Sequence, residues 1–207
     1  MKNVEAKNGT WMEAMITNVN EFIWRWNRGR FLECRKEKVV GRKSTYQFIP
    51  LSFIKRISEL QDIMAKHSAA LFLMYSTLLG WRRECSIIPH TTDIDTGVLL
   101  EEYSPGLVDE IGRSWTFWKE SFIQNLKEPE KPYMFAVNAY VDVYKKRKID
   151  VFFVQSEKNI SFAQSTGMGP NRLQKSVYPR IKEICSVDLL NHLMFVPCDV
   201  DAFIEVG

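Results

Sequence analysis

The sequence lacks any long hydrophobic run. Its longest uninterrupted apolar stretch is the seven residues 69–75, whereas a helix that spans a bilayer needs about 20. Lys2 and Lys7 lie near the start, but no apolar block follows them before the polar stretch 17–21, so a secretory signal is not predicted. We therefore expect a soluble chain that has no membrane-spanning segment of its own.

A dominant charge and internal repeats are also absent. The 28 basic and 25 acidic residues leave a net charge of +3 over 207 residues, which is too small to indicate a nucleic-acid or anionic-membrane partner. Hydrophobic residues make up 45% of the chain, enough for one sizeable core. Length and composition thus predict one globular domain, with at most a small attachment, and no nucleic-acid partner.

Closely spaced cysteine pairs are missing as well. Cys34, Cys85, Cys185 and Cys198 lie far apart and have no local histidine partner, so neither a zinc ribbon nor a dense disulfide scaffold is predicted. We interpret all four as ordinary buried or half-buried thiols. A disulfide between the last two is the alternative if the protein is secreted.

The N-terminal part of the chain mixes aromatic and basic side chains. These are Trp11, Phe22, Trp24, Trp26 and Phe31, and Arg25, Arg28, Arg30, Arg35 and Lys36. We favour an amphipathic helix whose aromatic side packs on the domain; a basic aromatic face of the kind that binds single-stranded nucleic acid is the alternative. Residues 1–50 are therefore predicted to be a helical extension and residues 51–207 the main domain.

Apolar periodicity predicts alternating helices and strands in the main domain. Apolar positions recur at helical spacing between residues 51 and 71, which indicates a core-facing helix. The run 71–75 is typical of a buried strand, and Ser76-Thr77 is predicted to cap a helix that begins at Leu78. Residues 93–98 follow as the next strand.

The second half of the chain is predicted to add a long helix and a hairpin. Ser104-Pro105 opens the helix, whose apolar positions continue at helical spacing to Leu126. Residues 133–144 and 149–154 are predicted to be antiparallel strands around a turn at 145–148. That basic turn is interpreted as a solvated tip, with attraction of an anionic donor or acceptor as the alternative.

The end of the chain is less distinctive. Residues 186–196 are mostly apolar and of undecided type, and Asp199 is predicted to cap a last short helix. Taken together, the elements predict an α/β fold in one domain.

Three aspartates carry the chemistry that the sequence suggests. Strand alternation places Asp93 and Asp95 on one face of a strand, and Asp150 lies inside an apolar strand, where an ionised carboxylate is costly unless a positive charge compensates it. Oxygen ligands select Mg²⁺ or Mn²⁺ over zinc, and converging carboxylates are typical of two-metal phosphoryl-transfer sites. Asp142 competes with Asp150 as the third carboxylate and ranks second.

The residues around these aspartates resemble those of a known family. A turn of small residues, an Asp-x-Asp strand and a later carboxylate strand resemble the nucleotidyltransferase fold of the DNA polymerase β superfamily. More specifically, three segments resemble motifs of the LicD/fukutin family: STLLGWRRECSIIPHTTDID at 76–95, KIDVFF at 148–153 and VPCDV at 196–200. This resemblance implies an α/β (α+β) domain with a mixed sheet flanked by helices.

The resemblance also implies an activity, namely transfer of a phospho-alcohol such as phosphocholine or ribitol phosphate. The donor would be a CDP-activated alcohol, the acceptor a sugar hydroxyl of a glycan or glycoprotein, and CMP the leaving group. Asp93 and Asp95 would hold Mg²⁺ or Mn²⁺ against the donor pyrophosphate, while Asp150 would complete the metal site or accept the proton of the attacking hydroxyl.

Other residues of the motif would contact the donor. The resemblance implies that Ser76, Thr77 and the backbone toward Gly80 bind phosphate oxygens at a helix start and that Arg83 adds a charge-assisted contact. His90 would position the donor or orient the aspartates; the alternative is a loop histidine that bonds a carbonyl.

The sequence departs from the family pattern at Ser76, where most relatives have glycine, and in stopping at Gly207, where relatives continue. We therefore expect a domain cut short at its C-terminus, and a non-catalytic binding or scaffold module is the alternative to an enzyme. A nucleotidyltransferase that modifies RNA or protein is a third interpretation. The resemblance implies the Golgi or secretory pathway, with a membrane anchor only through a segment that this sequence does not contain.

Overall fold

The computed structural model describes residues 3–5, 11–13, 19–37, 47–141, 145–166 and 173–205. The strands are β1 (Asn3–Glu5), β2 (Trp11–Glu13), β3 (Phe31–Leu32), β4 (Phe72–Leu73), β5 (Asp93–Leu99), β6 (Phe117–Ile123), β7 (Met134–Tyr140), β8 (Lys146–Glu157), β9 (Ile160–Thr166), β10 (Leu173–Pro179), β11 (Ile184–Leu189) and β12 (His192–Pro197). The α-helices are α1 (Val19–Trp26), α2 (Ile54–Lys66), α3 (Tyr75–Glu84), α4 (Pro105–Arg113) and α5 (Val200–Ile204).

Ten of the described strands form one mixed sheet. Its order is β10-β9-β8-β5-β4-β12-β11-β3, with β7 also paired to β8 and β6 paired to β7. The pairs β5–β8, β4–β12 and β3–β11 are parallel, and the other pairs are antiparallel. A mixed sheet with helices packed against it confirms the predicted α/β class.

The helices pack around this sheet through apolar side chains. The core-facing helix predicted after residue 51 is confirmed by α2, which buries Ile54, Ile57 and Leu60 completely and packs on β12 and α4. Helix α3 packs on β5 and inserts the fully buried Trp81, whose indole N–H donates to the carbonyl of Asp188 at 2.9 Å. Helix α3 is thus held both against β5, the strand that carries the Asp-x-Asp pair, and against β11.

The predicted helix from Ser104 to Leu126 is wrong beyond Arg113. Helix α4 ends there, and the chain continues into β6, which pairs with β7. Trp115 belongs to the predicted apolar stripe but is 96% exposed, whereas Phe117 lies outside the stripe and is 2% exposed. Aromatic residues suit a pleated, half-buried surface, and pairing with β7 decides the conformation in favour of the strand.

The hairpin predicted around residues 145–148 forms, but its turn is misplaced. Strands β7 and β8 are antiparallel, as predicted, yet β8 already begins at Lys146, so Lys148 is part of the ladder and pairs with Asn138. Lys148 is therefore not at a solvated tip. Asp142 lies outside the described residues.

Two further predictions concern helix starts and the C-terminal segment. Helix α3 begins at Tyr75, after Met74, and has no side-chain cap hydrogen bond, so the predicted cap at Ser76-Thr77 is wrong. The undecided segment 186–196 belongs to the antiparallel pair β11–β12. The short helix predicted after Asp199 is confirmed as α5.

The cysteines form two disulfides, Cys34–Cys85 and Cys185–Cys198. Their interpretation as thiols is therefore wrong, and the alternative pairing of the last two is confirmed. The first pair was not anticipated because 51 residues separate its members. Backbone hydrogen bonds from the segment after β3 to the end of α3 bring the two together.

Helix α1 of the N-terminal region lies against the domain. The predicted helix corresponds in part to α1, whose Trp24 meets Phe195 edge to face at 5.8 Å between ring centroids, although Trp26 stays 72% exposed. The boundary predicted at residue 50 stays a prediction. Across the described residues, none of the helices combines the length and the apolar character required to span a bilayer.

Candidate active site

The parallel pair β5–β8 brings the three aspartates together. In its register Asp95 is opposite Asp150, and Asp93 is opposite Lys148. Because side chains alternate between the two faces of a sheet, all four point to the same face. One carboxylate oxygen from each aspartate lies within 4.8 Å of the other two.

Hydroxyl groups fix the backbone that carries two of these carboxylates. The Asp95 N–H donates to Oγ1 of Thr77, on α3, at 2.9 Å. Oγ1 of Thr96 donates to the carbonyl of Asp150 at 2.8 Å and so ties β5 to β8. Both threonines are almost completely buried. The position of each carboxylate is therefore set by the core rather than by a surface loop.

The first turn of α3 supplies a direct contact to the cluster. Oγ of Ser76 donates to Oδ2 of Asp95 at 3.1 Å and lies 3.2 Å from Oγ1 of Thr91. The preceding residue, Tyr75, has a φ of 43°, a left-handed conformation that costs a non-glycine residue about 1 kcal/mol or more. The backbone is thus strained at the residue directly before the serine whose side chain contacts the carboxylates.

Burial and mutual repulsion destabilise the ionised form of the carboxylates when no cation is bound. Burial, followed by the charge of Asp93, raises the pKa of Asp95 to about 7, although the hydrogen bond from Ser76 opposes the rise. Burial also raises the pKa of Asp150, against the effect of Lys148. Both shifts indicate a site in which the ionised carboxylates lack positive charge.

Lys148 is the site residue that the sequence interpretation missed. Its Nζ lies 2.8 Å from Oδ2 of Asp150 and 3.9 Å from Oδ2 of Asp93. Burial alone would lower the pKa of Lys148, but the hydrogen bond to Asp150 and the charge of Asp93 raise it overall. The signal was present in the sequence, because a residue two places before Asp150 in a strand shares its face.

A second observation shows that the cluster suits a cation. Oδ1 of Asp150 is buried and has no hydrogen-bond partner among the described residues, and Asp150 is only 5% exposed. A buried carboxylate oxygen without a partner is costly. Because all the available ligands are oxygens, the residues fit Mg²⁺ or Mn²⁺.

The remaining predicted site residues have other contacts in the structure. Oγ1 of Thr77 accepts the hydrogen bond from the Asp95 N–H. A Cβ added to Gly80 would lie 2.8 Å from the carbonyl oxygen of Ser86, so this glycine permits close packing of α3 on the next loop. Arg83 bonds to the neighbouring Glu84, and His90 is exposed. Within the described residues no hydrogen bond or ion pair joins Arg83 or His90 to the carboxylates. Their contacts to the CDP-activated donor stay predictions.

A small, mostly apolar cavity of about 250 Å³ opens beside Ser76. It is lined by Tyr75, Ser76, Leu78, Leu79, Tyr178, Phe203 and Ile204. Tyr178 and Phe203 stack in parallel with ring centroids 4.0 Å apart. A larger cavity, about 610 Å³, lies around Arg180 and Cys198 and includes none of the three aspartates. We place the chemistry at the carboxylates because, in the part of the chain that the structure describes, only they combine convergence with an unpartnered buried oxygen.

Comparison with known families places this geometry in context. A family model described as LicD/FKTN/FKRP, nucleotidyltransferase domain, matches residues 68–199. The chain belongs to the LicD/FKTN/FKRP family. The matched range contains the first turn of α3 and the strands β5 and β8, so it includes every side chain of the carboxylate cluster. The resemblance found in the sequence is confirmed.

The individual relatives that match this chain share only about a quarter of its residues. The chain is 26% identical over 196 residues to an uncharacterized protein of Caenorhabditis elegans, covering 91% of the chain and 49% of the relative. It is 27% identical over 188 residues to mouse ribitol-5-phosphate transferase FKTN, covering 86% of the chain and 38% of the relative. It is 25% identical over 196 residues to the human protein of that name, covering 90% of the chain and 40% of the relative. The chain thus spans half or less of the length of these relatives.

Proposed function

We propose that this chain is a metal-dependent transferase that moves a phospho-alcohol, of the ribitol-phosphate or phosphocholine type, from a CDP-activated donor to a sugar hydroxyl. The convergence of three carboxylates around a buried, unpartnered oxygen of Asp150 carries the proposal. Family membership and relatives named ribitol-5-phosphate transferase support the choice of donor and acceptor class. We also propose that the sheet and α3 represent the nucleotidyltransferase fold of the DNA polymerase β superfamily.

Asp93, Asp95 and Asp150 would hold Mg²⁺ or Mn²⁺, which when bound neutralises charge on the donor pyrophosphate and on the leaving group. Ser76 orients Asp95 through its hydroxyl, and Lys148 keeps positive charge beside Asp150. Because Lys148 already supplies one charge, we favour one divalent cation over two.

The reaction would balance as a substitution at the phosphorus next to the alcohol. The acceptor hydroxyl oxygen forms a bond to this phosphorus, and the bond from the phosphorus to the bridging oxygen of the pyrophosphate breaks. The bridging oxygen leaves with CMP. The hydroxyl proton passes to solvent; if Asp93 and Asp95 alone hold the metal, the carboxylate of Asp150 is the general base that first accepts it.

The two disulfides support a location for this activity. Disulfides persist in oxidising compartments and are rare in the cytosol, and both cysteine pairs are bonded. We therefore propose that the domain works in the lumen of the secretory pathway, the Golgi included, on a glycan or glycoprotein.

Two measurements test the proposed function. Mn²⁺ is first titrated against the wild type and the double variant Asp93→Asn/Asp95→Asn, and equal affinities would dismiss the metal site. CMP release is then measured with CDP-ribitol and CDP-choline, each with sugar acceptors and with Mg²⁺ or EDTA. We expect release that depends on Mg²⁺ and that the double variant abolishes.

One observation favours the alternative of a non-catalytic binding module. Ser76, where the resemblance implies glycine, already occupies one oxygen of Asp95. This alternative predicts Mn²⁺ binding without CMP release, and release that appears in Ser76→Gly would identify the serine as its cause. Thermal stabilisation by a nucleoside triphosphate, but not by CDP-alcohols, would instead favour a nucleotidyltransferase.

A further inference from the structure

The carboxylates occupy one end of a continuous side-chain row that crosses four strands. The registers place Trp118 of β6 opposite Asn138 of β7, Asn138 opposite Lys148 of β8, and Lys148 opposite Asp93 of β5. Residues opposite each other in a sheet share a face. The same face therefore carries the proposed reaction centre at one end and a tryptophan at the other.

The far end of this row is an aromatic pair. Trp118 is 39% exposed and meets Tyr140 edge to face, with ring centroids 4.5 Å apart. Nζ of Lys146 lies 5.1 Å from the Trp118 ring centroid and 5.0 Å from that of Tyr140. Two aromatic rings in contact, one of them partly exposed, offer an apolar surface on which a ligand ring can pack.

Polar side chains lie between the aromatic pair and the carboxylates. Nδ2 of Asn138 donates to Oε2 of the exposed Glu120 at 3.0 Å. Glu120 is close enough to Lys148 and Asp150 to act on both electrostatically. The path from Trp118 to the carboxylates thus offers carboxylate, amide and ammonium groups in succession, with no excess of one sign.

This combination matches carbohydrate better than other ligands. The C–H face of a sugar ring packs on an aromatic face, while its hydroxyls bond to carboxylate and amide groups such as Glu120 and Asn138. A nucleic acid would require a uniformly basic path, which this row lacks. Strands β6 and β8 are about 10 Å apart, two strand spacings, so a ligand that reaches from Trp118 to Asp150 has the length of an oligosaccharide rather than of one sugar.

We propose that the surface formed by Trp118, Tyr140, Glu120 and Asn138, here called the sheet platform, binds the acceptor glycan. The aromatic pair holds one sugar, and a sugar nearer the end of the glycan presents its hydroxyl to Asp150. This inference rests on the proposed function, because it names the acceptor site of that reaction. It assigns a role to the residues that link the aromatic pair to the carboxylates.

The test is glycan binding in the absence of metal and donor. An array of immobilised neutral, N-acetylated and phosphorylated oligosaccharides is probed with the wild type, and the best-bound oligosaccharide is then titrated in solution against Trp118→Ala, Tyr140→Ala and Trp115→Ala. Trp115 is the matched control because it is 96% exposed and precedes β6. We expect an affinity loss of about tenfold or more in the first two variants and none in the control.

The outcomes separate this inference from the proposed function. Binding that depends on Trp118 but occurs without any CMP release supports the platform and removes the transferase. CMP release together with glycan binding that is equal in Trp118→Ala and the wild type overturns the platform alone, as does a wild type that binds no glycan on the array. The Mn²⁺ affinity of each variant, which we expect to equal that of the wild type, checks that the fold is intact.

Discussion

The two ends of the same sheet face are built in different ways. At the carboxylate end, buried threonine hydroxyls fix the backbone of Asp95 and Asp150 from neighbouring elements. At the aromatic end, Trp118 lies on β6, which pairs with β7 alone among the described strands and has an irregular register between Lys119 and Ser121. The contrast suits a reaction centre that must be rigid beside a binding surface that tolerates adjustment.

The two ends also differ in charge. Three carboxylates share one lysine at the first end, so the folded protein carries uncompensated negative charge there. At the second end the exposed Glu120 and Lys146 carry opposite charges, and Lys146 lies over the aromatic rings. Substitutions at the carboxylate end should therefore change ion binding and pH dependence, whereas those at the aromatic end should change only the binding of a neutral ligand.

The largest effect is expected for Asp150→Asn. The variant removes a proposed metal ligand whose buried oxygen has no other partner among the described residues, so the Mn²⁺ affinity should fall by more than the roughly 10- to 100-fold that loss of an outer-shell partner costs. CMP release should fall further still. Asp109→Asn, at an exposed position of α4, is the matched control. Retention of Mn²⁺ affinity in Asp150→Asn would remove this residue from the metal site.

The pH dependence of stability is the next largest effect. Burial and the charge of Asp93 raise the pKa of Asp95 to about 7, above its unfolded value, so between about pH 4 and 7 the metal-free folded state binds a proton that the unfolded chain does not. The free energy of unfolding contributed by this group should therefore fall as pH rises through that window, by at most about 4 kcal/mol.

Urea unfolding in EDTA from pH 4.5 to 8 measures this fall. Asp95→Asn should flatten the profile relative to the wild type, while Asp109→Asn should not. Saturating Mg²⁺ should stabilise the wild type more at pH 8 than at pH 5, because it favours the ionised carboxylates. A wild-type profile that rises across this window with the same slope as the Asp95→Asn profile would contradict the raised pKa.

Lys148→Met should have a smaller effect, and in the opposite direction from loss of a ligand. The Lys148 ammonium pairs with Asp150 and Asp93 and repels a cation at the same carboxylates. Its removal should therefore strengthen Mn²⁺ binding at pH 8 by about tenfold, or 1.4 kcal/mol. Binding of a second Mn²⁺ would be a stronger form of the same result. Lys119→Met, exposed on β6, is the control, and weaker binding in Lys148→Met would show that the lysine supports the metal instead of replacing one.

The carboxylate end was predictable from the sequence because its determinants are local. Asp93 and Asp95 share a face by strand alternation alone, and Asp150 stands out as a charge in an apolar run. The structure brings them together through the parallel pairing of β5 with β8. Lys148 was missed because the predicted hairpin turn included it, whereas β8 begins at Lys146; the alternation rule applies to Lys148 equally.

The aromatic end was not predictable, because distant pairing decides it. The apolar residues from Leu107 to Phe122 fit a helical stripe, and nothing within the segment reveals that β7 will pair with it. The Cys34–Cys85 disulfide was not predicted for the same reason, since contacts between segments distant in the sequence bring its two cysteines together. Local patterns thus identify the chemistry, whereas contacts between distant segments decide where its binding surface lies.

Two adjacent residues of β6 offer the most direct test of this difference, and one of them, Trp118, should show the smallest effect of all. Phe117 is 2% exposed and Trp118 is 39% exposed, so Phe117→Ala should cost about 3–5 kcal/mol of unfolding free energy and Trp118→Ala less than about 1 kcal/mol. A helix through this segment would bury Trp118 and expose Phe117, which reverses the order of the two costs. Urea unfolding of both variants therefore distinguishes β6 from the helix, and a small cost for Trp118→Ala shows that its ring is available to a ligand rather than required by the core.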